Sequence, residues 1–160
     1  MKVAILMGSK SDYEVVKKCE DLLKNFGVEV TTRVMSAHRT PDIAAEFVKG
    51  AKENGYDVII GAAGKAAHLP GVIASFTTLP VIGLPIKSST MDGLDSLLSI
   101  VQMPSGIPVA TVAINGAENA GLLALEMMSL KYKNLGDALE NYREEMRKKV
   151  IADDASLGGC

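Results

Sequence analysis

Cysteine, histidine and aromatic side chains are scarce in this chain of 160 residues. It has two cysteines, two histidines, no tryptophan and 4% aromatic residues. Cys19 and Cys160 form neither a disulfide framework nor a metal knuckle, and this usage predicts a reducing compartment, the cytoplasm. His38 and His68 fall on separate predicted loops with no carboxylate or cysteine at ligand spacing, so no metal site is expected.

An excess of one charge is also absent. The net charge is −2 and lysines and arginines do not cluster, which argues against nucleic-acid binding. Residues 66–86 carry no formal charge, but Pro70, Pro80 and Pro85 interrupt them, so a buried helix and strand are expected rather than a membrane span. Residues 1–8 are expected to form a first strand rather than a signal peptide.

Apolar residues are plentiful, at 48%, which is enough for one domain with a substantial core over residues 1–160. Five apolar runs predict strands, at residues 3–7, 28–35, 58–63, 80–84 and 109–114. Segments with helical spacing separate them, which predicts a three-layer α/β/α fold with a five-stranded parallel sheet in the flavodoxin-like order. An extra C-terminal helix needs a surface to cover its apolar stripe, and a second subunit is one such surface. Residues 153–160 are expected to be a flexible tail.

The turn after the first predicted strand is the first candidate site. Its residues are Gly8, Ser9, Lys10, Ser11 and Asp12. Backbone N–H groups at a helix start bind phosphate, the serines add hydroxyl donors, and Asp12 can accept hydrogen bonds from ribose hydroxyls. A capped helix start without a ligand is the alternative. The glycine patterns of dinucleotide sites and P-loops are both missing.

The turn after the second predicted strand carries His38 and Arg39. Thr40 and Pro41 suit the cap and first position of the following helix. Histidine is suited to proton transfer near neutral pH, and arginine can hold a phosphate or carboxylate through two hydrogen bonds. Because both turns lie at the carboxyl edge of the predicted sheet, where ligands bind, a functional role is favoured over an incidental basic pair.

Small residues dominate the third turn, at residues 61–71. Gly64 and Ala66 allow the backbone to approach a flat ligand closely. His68 could act in catalysis or simply cap or pack at a helix start, and Lys65 could bind a carboxylate or remain solvated. The fourth turn, with Ser88 and Ser89, is interpreted as an ordinary polar turn.

Three of these segments, residues 8–12, 36–41 and 66–71, closely resemble the class I PurE family of carboxyaminoimidazole ribonucleotide mutases. Residues 93–97 and 99–104 resemble the same family. The likeness extends over roughly the first 150 residues in order and spacing, and several independent motifs agree. It implies an octameric enzyme of purine biosynthesis, without cofactor or metal, that moves a carboxylate from the exocyclic amine of an imidazole ribonucleotide to the neighbouring ring carbon.

The resemblance also implies roles for individual residues. His38 would carry the proton, and Arg39 would bind the phosphate. Residues expected to bind the substrate are Gly8, Ser9, Ser11, Asp12, Ser36, Ala37, Arg39, Gly64, Lys65, Ala66, His68 and Leu69.

One departure from the family pattern keeps an alternative open. Gly64-Lys65 stands where class I members are expected to have two glycines, and a basic residue here is reminiscent of the related enzymes that carboxylate aminoimidazole ribonucleotide directly with carbon dioxide. A non-catalytic flavodoxin-like or receiver module is a weaker alternative. The predicted loops lack the aromatic residues that flank a flavin, and Gly61 to Ala63 stand where a receiver domain has its aspartate.

Overall fold

The five apolar runs form five parallel strands in the computed structural model, which describes residues 1–158. The strands are Lys2–Met7 (β1), Glu29–Val34 (β2), Val58–Gly64 (β3), Val81–Ile86 (β4) and Ala110–Thr111 (β5). They lie in the order β2-β1-β3-β4-β5, and every neighbouring pair is parallel. This confirms the predicted flavodoxin-like sheet. Cys160 lies outside the described residues.

Within residues 1–158, six α-helices cover the two faces of the sheet. They are Tyr13–Asn25 (α1), Pro41–Ala51 (α2), Leu69–Ser75 (α3), Leu94–Val101 (α4), Ala117–Ser129 (α5) and Lys133–Ser156 (α6). One apolar cluster joins α1, α5 and α6 to the sheet, and a second joins α2, α3 and α4 to it. The predicted three layers are therefore confirmed.

The fifth strand is shorter than the predicted run at 109–114. Only Ala110 and Thr111 pair with β4 as strand residues, although the N–H of Asn115 still donates to the carbonyl of Pro85 at 2.8 Å. Pro85 therefore faces β5 but has no N–H to donate, which interrupts the hydrogen-bond ladder at that point.

Helix α4 forms where its apolar residues predict it, but those residues do not face the core. Leu94, Leu98 and Val101 are 43%, 46% and 48% exposed, whereas Ser96 and Ile100 are fully buried. A Cβ atom on Gly83 of β4 would lie 2.3 Å from the Ile100 side chain, so the helix packs very closely on the sheet. The buried Ser96 is accommodated beneath α4 because its hydroxyl lies 2.8 Å from the carbonyl oxygens of both Ile86 and Gly93 and can donate its proton to either.

The C-terminal helix α6 has 24 residues, which corresponds to about 36 Å. Only Leu135 and Leu139 are buried, and Val150 is 67% exposed. The helix continues to Ser156, past the point where the flexible tail was expected to begin. Among the described residues, neither this helix nor any other is both long and apolar enough to cross a membrane.

Asp57 ties the turn between α5 and α6 to the start of β1. Its carboxylate accepts hydrogen bonds from the backbone N–H of Lys2 (3.0 Å), from Lys131 Nζ (2.8 Å) and from the hydroxyl of Tyr132 (3.2 Å). Burial raises the pKa of the carboxyl, but the Lys131 ammonium, the Lys2 N–H and the Tyr132 hydroxyl outweigh it and hold the pKa below its usual value.

Replacing Asp57 with Asn is expected to lower the free energy of unfolding at pH 7 by about 1.5–3 kcal/mol, because hydrogen bonds to a charged group are lost. The low folded-state pKa contributes stability above the unfolded pKa near 4, and this contribution disappears as the pH falls through the folded value. Urea unfolding at several pH values should therefore show the gap between wild type and variant narrowing below about pH 4.

Asp21→Asn is a matched control for this measurement. Asp21 pairs with Lys17 on the surface of α1, where the Asp21 side chain is 52% exposed. Such a pair contributes little, so this variant should change stability by less than about 0.5 kcal/mol. Equal effects of the two substitutions would contradict the structural role given to Asp57.

Candidate active site

The loop after β1 presents two serines and an aspartate at the carboxyl edge of the sheet. Ser9 caps a short 3₁₀ turn, Lys10–Asp12, by accepting from the N–H of Ser11 at 3.3 Å. The Ser11 hydroxyl lies 2.9 Å from that of Ser9 and 3.3 Å from the Asp12 carboxylate. Burial raises the pKa of Asp12, although its hydrogen bonds partly offset that. Hydroxyl and N–H donors at such a turn suit an anion.

The loop after β2 is held rigid by its own hydrogen bonds. The Thr40 hydroxyl accepts from the N–H of Ser36 at 2.9 Å, and the Ser36 hydroxyl accepts from the N–H of Arg39 at 3.2 Å. The Arg39 guanidinium donates to the carbonyl of Gly8 at 2.9 Å. Arg39 therefore links this loop to the serine-rich loop and places its positive charge beside it.

The two histidines of the chain meet across the site. His38 Nε2 lies 2.9 Å from His68 Nδ1, and the two rings are nearly perpendicular, at 80°. One of these two nitrogens must donate and the other must accept, so only one of them carries a proton while they are in contact. His68 immediately precedes α3, but its side chain forms no capping hydrogen bond at the start of that helix.

The loop after β3 carries the small residues and Lys65. Lys65 has a φ of 56°, a left-handed conformation that glycine adopts more easily. A Cβ atom on Gly64 would lie 3.3 Å from the carbonyl oxygen of Ile86, so a side chain there would crowd the neighbouring strand. The glycine at position 64 thus follows from the close approach of β3 and β4.

These loops surround one cavity of about 470 Å³, a size typical of small-molecule sites. Every residue predicted for substrate binding or catalysis lines it. They are Gly8, Ser9, Ser11, Asp12, Ser36, Ala37, His38, Arg39, Gly64, Lys65, Ala66, His68 and Leu69. The sequence therefore located the candidate site, although the role of each residue stays a prediction.

Five further residues line the cavity and were not predicted to do so: Ala63, Ile86, Lys87, Ser88 and Ser89. The last three follow β4, which lies beside β3 in the sheet. The interpretation of the fourth turn as an ordinary turn therefore omitted side chains that reach the cavity. The position of this turn after β4, an inner strand of the sheet, was the signal that could have identified these residues.

A larger cavity of about 900 Å³ opens at the opposite edge of the sheet, near the start of β4. Its lining contains two lysines and apolar residues such as Phe76 and Leu79, but no histidine and no acidic side chain. The smaller cavity is the better candidate because it combines proton carriers with anion-binding groups. Within residues 1–158, no three histidine, cysteine or acidic side chains form a group suited to holding a metal ion.

A family model described as AIR carboxylase matches residues 2–149. The chain belongs to this family. The N5-carboxyaminoimidazole ribonucleotide mutase of Saccharolobus solfataricus is 54% identical over 151 residues, which cover 94% of this chain and 96% of that protein. The PurE structure from Treponema denticola has a TM-score of 0.88 at 35% identity and covers 98% of each chain. These matches confirm the predicted family and fold and support the predicted enzyme class, an isomerase of the mutase type.

Another relative carries a different name. The chloroplastic phosphoribosylaminoimidazole carboxylase of Vigna aconitifolia is 50% identical over 155 residues, which are 97% of this chain but 28% of that longer protein.

Proposed function

We propose that this protein converts 5-carboxyaminoimidazole ribonucleotide to 4-carboxy-5-aminoimidazole ribonucleotide in purine biosynthesis. The observation that carries the proposal is the contact between His38 and His68, which faces a nucleotide-sized cavity beside anion-binding groups. The mutase relatives support the same assignment.

The phosphate and ribose of the substrate fit the first two loops. Ser9 and Ser11 offer hydroxyl donors, and the guanidinium of Arg39 lies next to them. The Asp12 carboxylate faces the same cavity and suits a ribose hydroxyl. With the phosphate at this end, the imidazole ring extends toward the histidines and the small-residue loop.

His38 can serve both proton transfers. In its protonated form it donates to the exocyclic nitrogen as the nitrogen–carboxylate bond breaks, and carbon dioxide and the free amine form. The neighbouring ring carbon then attacks carbon dioxide, and neutral His38 removes the proton from that carbon to restore the aromatic ring. Histidine ends protonated, as it began, so the two steps balance.

The small residues around the ring give carbon dioxide a confined space. Ala63 and Leu69 are 6% and 2% exposed, and Gly64 and Ala66 add little bulk to the same wall. A confined molecule of carbon dioxide has a high effective concentration beside the ring carbon, and exclusion of water limits its loss as bicarbonate.

We also propose that the protein is a cytoplasmic homo-oligomer, an octamer as the family resemblance implies. The exposed apolar residues of α4 (Leu94, Leu98 and Val101) and the outer half of α6 support burial against other subunits. Cys19 is a buried free thiol, and burial raises its pKa to about 12, which keeps it unreactive.

Direct carboxylation of aminoimidazole ribonucleotide by carbon dioxide is the second candidate. Lys65 in the cavity and the relative named as a carboxylase both favour it. This reaction would use the same site and the same removal of a ring proton, but it would begin without the decarboxylation step.

Two substrates offered separately to the purified protein test the assignment. One is carboxyaminoimidazole ribonucleotide in low-bicarbonate buffer, and the other is aminoimidazole ribonucleotide with excess bicarbonate. The proposal predicts that the ring-carboxylated product forms much faster from the first. Faster formation from the second would establish the direct carboxylase, and no product from either would contradict both candidates.

A further inference from the structure

Lys65 lines the cavity without an ionic partner among the described residues. No carboxylate within residues 1–158 lies within ion-pair distance of its ammonium group. The other lysine of the cavity, Lys87, is paired with Asp92 at 3.1 Å. Lys65 thus contributes a positive charge that the protein itself leaves unbalanced.

The charges of the cavity are divided between its loops. Arg39 is bound to the carbonyl of Gly8, next to the serine-rich loop. Lys65 follows β3, in the loop that also carries His68. A ligand with one anionic group at each end would therefore meet one unpaired cation at the Arg39 end and another at the histidine end.

The proposed substrate and product both carry a phosphate and a carboxylate, whereas the uncarboxylated ribonucleotide carries only the phosphate. We propose that Lys65 binds the migrating carboxylate and makes the site selective for carboxylated ribonucleotides. This inference rests on the proposed function. Under this inference Lys65 binds the substrate of the mutase. Its presence in the cavity is then no longer an argument for direct carboxylation.

The backbone at Lys65 supports a role for its side chain. A φ of 56° is strained for lysine and relaxed for glycine, so glycine would be the less costly residue if only the turn mattered. The ammonium group is also mobile enough to follow a carboxylate that moves from the exocyclic nitrogen to the adjacent ring carbon, because lysine is a flexible point charge.

Binding measurements with two ligands test the inference without relying on turnover. Isothermal titration calorimetry would give the dissociation constants of the ring-carboxylated ribonucleotide and of aminoimidazole ribonucleotide. In the wild type the first should bind more tightly. Lys65→Met should weaken the carboxylated ligand about 10- to 100-fold and the uncarboxylated one less than about threefold, since one charged hydrogen bond is lost.

Two further variants complete the design. Lys65→Arg keeps the charge and should retain most of the selectivity. Lys18→Met removes an exposed lysine of α1 outside the cavity and should leave both affinities unchanged.

Two outcomes would overturn the inference. If Lys65→Met weakened both ligands equally, the ammonium group would contact the phosphate that they share. If neither affinity changed, the ammonium group would be solvated and would contact no ligand. A different result would reject the proposed function and keep the inference. In that case the wild-type protein would bind the carboxylated ligand selectively but would form no product from carboxyaminoimidazole ribonucleotide.

Discussion

Replacing His38 with Asn is expected to lower kcat for conversion of carboxyaminoimidazole ribonucleotide by about 10³-fold, within the range of a lost general acid–base group. Asparagine keeps a similar size but cannot exchange a proton near neutral pH. In the proposed mechanism both proton transfers use this ring, whose Nε2 lies 2.9 Å from His68 Nδ1. Steady-state kinetics, followed through formation of the ring-carboxylated product, would measure the effect.

The control for this experiment is binding by the same variant. His38 is exposed on a loop, so Asn should leave the melting temperature unchanged and alter the affinity for aminoimidazole ribonucleotide less than about threefold. His68→Asn is the matched second variant and should lose less activity, because in the proposed mechanism His68 contacts His38 but does not itself transfer the proton. Near-native turnover by folded His38→Asn protein would contradict the mechanism.

Replacing Arg39 with Met is expected to lower kcat/KM by about 100-fold, mainly through KM, because a charge-assisted contact to the phosphate is lost. Its guanidinium donates to the carbonyl of Gly8 at 2.9 Å, beside the serine hydroxyls. Arg39→Lys should recover part of the loss, since a lysine keeps the charge but not the planar set of donors. Initial rates over a range of substrate concentrations separate KM from kcat.

Arg147→Met provides the control for a lost surface arginine. Arg147 pairs with Glu144 on α6 at 3.3 Å, and its side chain is 67% exposed. Neither kinetic constant should change in this variant. A KM for Arg39→Met equal to that of the wild type would mean that the phosphate binds elsewhere in the cavity.

The sheet could be predicted because its strands have unambiguous sequences. The five residues from Val3 to Met7 are all buried, and such continuous apolar runs are typical of parallel strands covered on both faces. Because helices alternate with these strands along the chain, the strands are expected to run parallel to one another. The candidate site followed from the same pattern, since polar residues after β1, β2 and β3 must meet at one edge.

Features that depend on contacts distant in sequence could not be predicted. Periodicity locates α4 but not which face packs, because the close approach of Gly83 and Ile100 is a property of the folded sheet. Asn115 lies two residues before the start of α5 at Ala117, yet its side chain accepts from the N–H of Lys87, 28 residues away in the sequence. Likewise, no local signal shows that His38 and His68 touch, because 30 residues separate them.

We propose that carbon dioxide released from the exocyclic nitrogen remains in the cavity until the ring carbon captures it. The most direct test uses carboxyaminoimidazole ribonucleotide with ¹³C in its carboxylate, unlabelled bicarbonate in the buffer, and carbonic anhydrase to equilibrate any free carbon dioxide. Mass spectrometry of the product formed in the first turnovers should show that it retains most of the ¹³C. A product whose carboxylate comes from the unlabelled pool would contradict the account and indicate direct carboxylation from solution.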